Sequence, residues 1–156
     1  MSIHLELIPI SDAETYRQMQ QRAFAELLER YRDYDTNPAC ETPARTRAKF
    51  TQPGRVYYYI CYGDTRVGAI SVVDPGTPAR PKRISPLFIL PEYQRRGFAQ
   101  AAIREAERLH GAHGWSLDTI LQEEGNCRLY EKLGYRRTGE TKEINERMTL
   151  VFYEKP

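Results

Sequence analysis

Leu87-Phe88-Ile89-Leu90-Pro91-Glu92-Tyr93-Gln94-Arg95-Arg96-Gly97-Phe98-Ala99 reads as an apolar strand, a short polar turn and the start of an alanine-rich helix. A helix N-terminus leaves backbone N–H groups without intrahelical partners, and the helix dipole puts partial positive charge there. Both features favour an anion, a phosphate above all. Gly97 has no Cβ, so an anion can approach its backbone closely, and Ala99 is nearly as permissive. Arg95 and Arg96 add formal charge beside the turn. The same local features also describe a helix that merely opens on a glycine beside two surface arginines.

Working outward, Ile3, Leu5 and Leu7 alternate with polar residues as in a strand. Ser11 or Asp12 can cap a helix from Ala13 to about Arg32, followed by a turn-rich break, Asp33-Tyr34-Asp35-Thr36-Asn37-Pro38. A short helix from about Pro43 to Phe50 has proline in its first turn. Arg55 to Tyr62 and Arg66 to Val73 read as strands joined at Gly63-Asp64, and Asp74 to Pro81 as a loop. Arg83 to Leu90 is the next strand. The helix from about Gly97 to His110 has Ala99, Ala102, Ala106 and Leu109 as its apolar stripe. Then follow a strand from Ser116 to Leu121, a short helix from Asn126 to Leu133 ended by Gly134, and strands Tyr135 to Glu140 and Arg147 to Tyr153. No repeat or long linker divides the 156 residues, so one domain over residues 1–156 is expected.

Two familiar phosphate-binding patterns fail. The Walker A loop needs Gly-Lys-Ser or Gly-Lys-Thr, and neither occurs; the dinucleotide fingerprint needs three spaced glycines near an N-terminal strand, and only Gly97 fits. A different resemblance holds. Gln94-Arg95-Arg96-Gly97-Phe98-Ala99 after Pro91-Glu92-Tyr93 resembles the pyrophosphate loop of the GNAT N-acetyltransferases, Gln/Arg-x-x-Gly-x-Gly/Ala. Asn126-Cys127-Arg128-Leu129-Tyr130-Glu131-Lys132-Leu133-Gly134-Tyr135 resembles that family's second motif, an Asn, then a Tyr, then Leu-Gly-Phe/Tyr. The one departure is Ala99 where many members carry glycine.

The resemblance covers essentially the whole chain and implies an α/β (α+β) fold of GNAT type. That is a mixed, mostly antiparallel sheet of about six to seven strands, flanked by about four helices, with a splayed central strand pair. It implies acetyl-coenzyme A as cofactor, held by the backbone of Gln94, Arg95, Arg96, Gly97, Phe98, Ala99 and Gln100. The side chains of Arg95 and Arg96 would reach the phosphates or face water. The backbone of Phe88, Ile89 and Leu90 would pair with the pantetheine arm, and Asn126 would contact it. The Ile89 N–H becomes the oxyanion donor, a role worth about 2.7–4 kcal/mol in other acyl-transfer enzymes. Tyr130 becomes the acid that protonates the departing thiolate. A phenol, with pKa near ~10, stays protonated at neutral pH yet can donate to a thiolate forming beside it. Asn126 and Tyr130 are four residues apart and so share a helix face.

The reaction implied is direct acetyl transfer to a primary amine of a small molecule or peptide, with no activated Cys or Ser nucleophile in view. An acyl-coenzyme A sensor without turnover is the alternative. The attacking amine must lose a proton, and Glu123, Glu124 and Asp74 follow or end strands where a base could sit. In this family the segment between the first helices covers the acceptor. Here that segment supplies Asp35, Asn37 and Glu41 as candidate acceptor residues, a set suited to a cationic amine.

Charge and cysteines bound the rest. The chain carries 23 basic and 21 acidic residues, a net of +2, which argues against a dedicated nucleic-acid binder. Residues 1–78 hold 9 basic and 10 acidic groups, and residues 79–156 hold 14 and 11, so the net positive half carries the pyrophosphate-type loop. Arg80, Lys82 and Arg83 would flank an adenosine phosphate or nothing. No apolar run approaches the roughly 18 residues of a membrane helix. Met1 to Ile10 lacks the positive n-region of a signal peptide. Cys40, Cys61 and Cys127 match no zinc or disulfide spacing, so a reducing, cytoplasmic location is expected, and no metal is called for. Members of the family often pair through C-terminal strands, which makes a homodimer a candidate assembly.

Overall fold

The computed structural model of the protein describes residues 2–156. Seven strands form one sheet in the order β1-β2-β3-β4-β5-β7-β6. In chain order they are β1 Ile3–Leu7, β2 Arg55–Tyr62, β3 Thr65–Val73, β4 Lys82–Ile89, β5 Trp115–Ile120, β6 Arg136–Asn145 and β7 Met148–Lys155. Four helices flank them: α1 Ala13–Tyr31, α2 Pro43–Phe50, α3 Phe98–His110 and α4 Glu124–Lys132. Every pairing is antiparallel except β4 with β5. The mixed, mostly antiparallel sheet expected from the sequence is therefore present.

Strand alternation divides the core in two. Tyr57, Tyr59 and Cys61 of β2 point to one face with Phe88 and Leu90, where Tyr16 of α1 packs. Tyr58 and Ile60 point to the other with Ile89, where Phe98, Ala102 and Ile103 of α3 and Tyr130 of α4 pack. β2 and β3 are thus covered on both sides, which is why they read as continuous apolar runs. β6 is the opposite case. It is an edge strand, exposed over its first eight residues, and it extends to Asn145 rather than stopping near Glu140. With neither face buried there is no alternation in its sequence to reveal its length. In α3 the buried row steps by four, through Phe98, Ala102 and Ala106, to His110, whose Nε2 lies 2.8 Å from the Tyr58 hydroxyl. Leu109 falls beside that row and is 47% exposed, and Ala99 is half-buried, so the expected stripe is shifted by one residue at both ends.

The feature that opens the site is the parting of β4 from β5. They pair only at Lys82–Trp115 and Arg83–Ser116, after which β4 runs on to Ile89 and β5 to Ile120 with no ladder between them. The cause is visible in β4. Its ladder with β3 skips from Val72–Ile84 to Ile70–Leu87, so one extra residue is accommodated around Ser85-Pro86. Such a bulge bends the strand that carries it, and proline has no N–H to offer a ladder. Arg55 pins the bend, donating from Nη1 to the Ser85 carbonyl at 2.8 Å and to Ser71 Oγ at 3.0 Å.

Candidate active site

The far end of β4 faces the gap with one residue's backbone. The Leu90 N–H donates to the Val67 carbonyl at 2.8 Å, so the opposed pair Gly68–Ile89 occupies a non-hydrogen-bonded position of the ladder. The N–H and C=O of Ile89 therefore turn away from β3, towards the gap. Those of Phe88, one residue back, turn towards Ala69. Of Phe88, Ile89 and Leu90, then, only Ile89 offers its N–H to the cleft. Its carbonyl accepts from Gln94 Nε2 at 3.0 Å, which fixes the start of the following loop.

That loop ends in an anion nest. Arg95 has φ of 65° and Gly97 φ of 79°, both left-handed, and Gly97 caps α3 without any side-chain hydrogen bond. The first bond closing the helix is Ala101 N–H to the Gly97 carbonyl, at 3.1 Å. The N–H groups from Arg95 through Gln100 find no acceptor among the described residues. A Cβ on Gly97 would meet nothing within 4 Å, so its surroundings are open. Arg95 and Arg96 are exposed and form no ion pair among the described residues. Six free amides, a helix N-terminus and two unpaired guanidiniums are the donor set that a pyrophosphate needs.

Two cavities meet at the gap. One, of about 660 Å³, is lined by Phe88, Ile89, Gln94, Arg95 and Gly97 to Gln100 on one side and by Glu123 to Asn126 of the α4 end on the other. Leu90 and Arg96 lie outside this lining. The second, of about 480 Å³, lies between the α1–α2 segment, the parted strands and the β6–β7 hairpin. Phe24, Leu27, Leu87, Asn126 and Tyr130 line both. Tyr130 is 9% exposed and its ring packs near Tyr135 and Tyr153, with centroids 6.2 and 6.1 Å away. Its hydroxyl has no hydrogen-bond partner among the described residues, yet it is not sealed off from the cavities. Burial, with the charge of Asp118 and Cys127 adding, pushes that phenol well above its ordinary range. It is a neutral donor with nothing among the described residues to donate to.

The remaining sequence-derived residues fall in three places. Asn37 lines the second cavity, and its Oδ1 caps a short turn by accepting from the Ala39 N–H at 2.7 Å. Asp35 is exposed and outside that lining. Glu41 is also outside it, holding Lys49 Nζ at 2.6 Å and Thr46 Oγ1 at 2.7 Å. Burial would raise its carboxyl, but those two partners outweigh burial and hold it below the usual carboxylate range. Glu123 lines the first cavity and is held by Arg30 Nη1 at 2.7 Å and by the Tyr31 hydroxyl. Asp74 accepts from the Gly76 N–H at 2.9 Å and lies outside both linings. Cys127 is buried, its thiol 3.8 Å from the Ile120 carbonyl. At the β1 edge, three strands from β4, His4, Glu6 and Cys61 bring ligand-type atoms within 4.8 Å of one another. There Arg66 already holds Glu6, and burial pushes the Cys61 thiol up.

The second cavity also contains Asp33, from the turn-rich break that the sequence marks, and two charged residues that sequence reasoning passed over, Asp118 and Lys142. Asp118 was the findable one, the single charged residue of β5. Arg83 joins them, bonding Asp118 through Nη2 across the start of the gap rather than flanking the first cavity.

The sequence model of the Acetyltransferase (GNAT) family matches residues 16–135. The chain belongs to that family. It is accordingly a GNAT acetyltransferase, and acetyl-coenzyme A is the acetyl donor that its nest of free amides fits. Solved structures agree on the GNAT fold. A spermidine N-acetyltransferase from Vibrio cholerae, in complex with CoA and spermine, superposes with a TM-score of 0.75 at 16% identity, over 97% of this chain and 94% of that one. The ribosomal-protein-S18-alanine N-acetyltransferase of Escherichia coli gives 0.72 at 14%, over 97% and 91%. An acetyltransferase from Thermus thermophilus gives 0.71 at 17%, over 98% and 96%. No curated protein matches the chain. Among the described residues no helix is long and apolar enough to cross a membrane.

Proposed function

We propose that this GNAT protein transfers the acetyl group of acetyl-coenzyme A directly to the primary amine of a small molecule or peptide, both substrates being bound at once. The observation that carries this reading is the Tyr130 hydroxyl, unpartnered and at the junction of the two cavities. The donor supplies a thioester whose carbonyl carbon is the electrophile. The loop amides from Arg95 to Gln100 hold its phosphates, and Asn126 lies beside the arm that leads to the gap. The Ile89 N–H, turned into the gap, donates to the thioester oxygen as negative charge develops on it.

The acceptor arrives as an ammonium and must lose a proton before its nitrogen has a lone pair. Asp118, the carboxylate of the second cavity that is not taken up by a local turn, takes that proton on to solvent. The nitrogen then bonds to the carbonyl carbon and gives up a second proton to solvent, the carbon–sulfur bond breaks, and the sulfur leaves with the proton of the Tyr130 hydroxyl, which solvent restores. The products are the amide, free thiol and one proton. The test is thiol release from acetyl-coenzyme A with a panel of amines, for the native chain and Tyr130→Phe. Release that depends on the amine and collapses in the variant supports the reading. Tight coenzyme A binding with no release across the panel overturns it in favour of a sensor.

A further inference from the structure

From the charge inventory of the second cavity we infer that the acceptor is a zwitterion: a free amino acid or a like molecule that carries a carboxylate beside its amine and a compact apolar side chain. This rests on the reading above that the second cavity takes the acceptor. Four charged side chains line it, Asp33, Asp118, Arg83 and Lys142. They are not equally available. Asp33 is 4% exposed, and its two carboxylate oxygens are taken by the Thr36 N–H, at 3.0 Å, and the Thr36 hydroxyl. It shapes the turn and has little left for a ligand. Asp118 and Arg83 are paired with each other. Lys142, on β6, has no hydrogen bond or ion pair among the described residues. The charge open to a ligand is therefore one carboxylate and two cations.

That balance suits neither a polyamine nor a plain amine. A polycation would bring several positive charges to a cavity whose only accessible acid already has a guanidinium beside it. A simple ammonium would satisfy Asp118 but leave Arg83 and Lys142 in the same lining without an anion. A zwitterion satisfies all three. Its ammonium replaces Arg83 at Asp118, and its carboxylate lies between Arg83, which can bind it through two parallel N–H groups, and Lys142. Ile84, Leu87, Leu117 and Phe152 line the same cavity and leave an apolar place for a side chain. A cavity of about 480 Å³ is the size of a small-molecule site. The acids expected to attract a cationic acceptor, Asp35 and Glu41, stand outside the lining, which removes the main argument for a purely cationic partner.

The experiment uses the full chain with acetyl-coenzyme A and four acceptors: free leucine, leucinamide, leucine methyl ester and spermidine. The expected result is a kcat/KM for leucine at least about tenfold above those for the amide and ester, which keep the amine and lose the carboxylate. In Lys142→Met, the leucine-to-leucinamide ratio falls towards one, through KM rather than kcat. Equal or faster turnover of the amide, ester or spermidine overturns the inference. If no acceptor releases thiol, the transfer reading fails instead, and the charge argument is read by calorimetric titration of the same four molecules into the coenzyme A complex. Leucine alone binding, and more weakly to Lys142→Met, upholds the zwitterion; no binding, or equal binding of leucinamide, rejects it.

Discussion

In the proposed transfer Tyr130 serves as an acid by default rather than by tuning: burial and nearby negative charge raise its pKa, and no group among the described residues accepts its proton. Tyr130→Phe keeps the ring between Tyr135 and Tyr153 and removes only the hydroxyl. We expect kcat to fall by roughly 10²–10⁴ while KM for acetyl-coenzyme A moves little, as steady-state kinetics would show. Because the phenol's pKa is raised, it keeps its proton as pH climbs, so the native enzyme should show no loss of kcat from this group below about pH 10. Gly97 makes the opposite demand. At φ 79° an L side chain is strained by about 1–2 kcal/mol, and its Cβ would enter the open space above the free amides. Gly97→Ala should therefore lower stability by that amount and raise KM for acetyl-coenzyme A more than it lowers kcat. Both positions stood out in the sequence, Gly97 from the helix it opens and Tyr130 from the family resemblance that its motif carries. Lys142 was not legible. It stands on an exposed edge strand, and only the folding of β6 against β7 brings it to the cavity that Asp118 and Arg83 line.

At the scale of elements, the site depends on β4 lying close to β3 while leaving β5. Gly68 on β3 permits the close approach: a Cβ there would stand 2.1 Å from the Phe88 carbonyl oxygen and 3.0 Å from the Ile89 Cα. Both are backbone atoms, so neither can swing aside. Gly68→Ala should cost at least about 3 kcal/mol in denaturant unfolding. In the folded fraction it should also lower kcat, because β4 can make room only by moving the Ile89 N–H. A structural role alone would reduce stability and leave kcat per folded molecule unchanged. Helix and strand positions were largely legible, since α2 and β2 follow proline, cap and apolar-run signals that act locally. The parting of β4 from β5 came only with the family resemblance. Its physical cause, one extra residue around Ser85-Pro86, shows in the register between strands and not in either strand alone.

The molecule as a whole does not keep the division that its charge arithmetic suggests. The net positive half does carry the anion nest, but the second cavity draws Asp33 and Asn37 from the first half and Arg83, Asp118 and Lys142 from the second. What the whole chain does share is tyrosine: 11 of its 156 residues, with buried members on both faces of the sheet. Burial raises the phenols of Tyr57 and Tyr59 to about 12, and those of Tyr16, Tyr58, Tyr130, Tyr135 and Tyr153 shift the same way, chiefly for the same reason. In the unfolded chain they titrate near ~10. Between those values the unfolded state binds fewer protons than the folded one, so stability must fall as pH rises. The contribution is complete below about pH 10 and is lost as pH climbs towards the folded values. We therefore expect a steep drop in Tm above about pH 10, in step with the appearance of tyrosinate absorbance. Tyr57→Phe isolates the cause. The ring stacks on Phe50 with centroids 4.0 Å apart, and phenylalanine can keep that contact. The variant should match the native Tm near neutral pH within a few degrees and lose Tm less steeply above about pH 10. An unchanged alkaline slope would assign the drop to the lysine and arginine ion pairs instead.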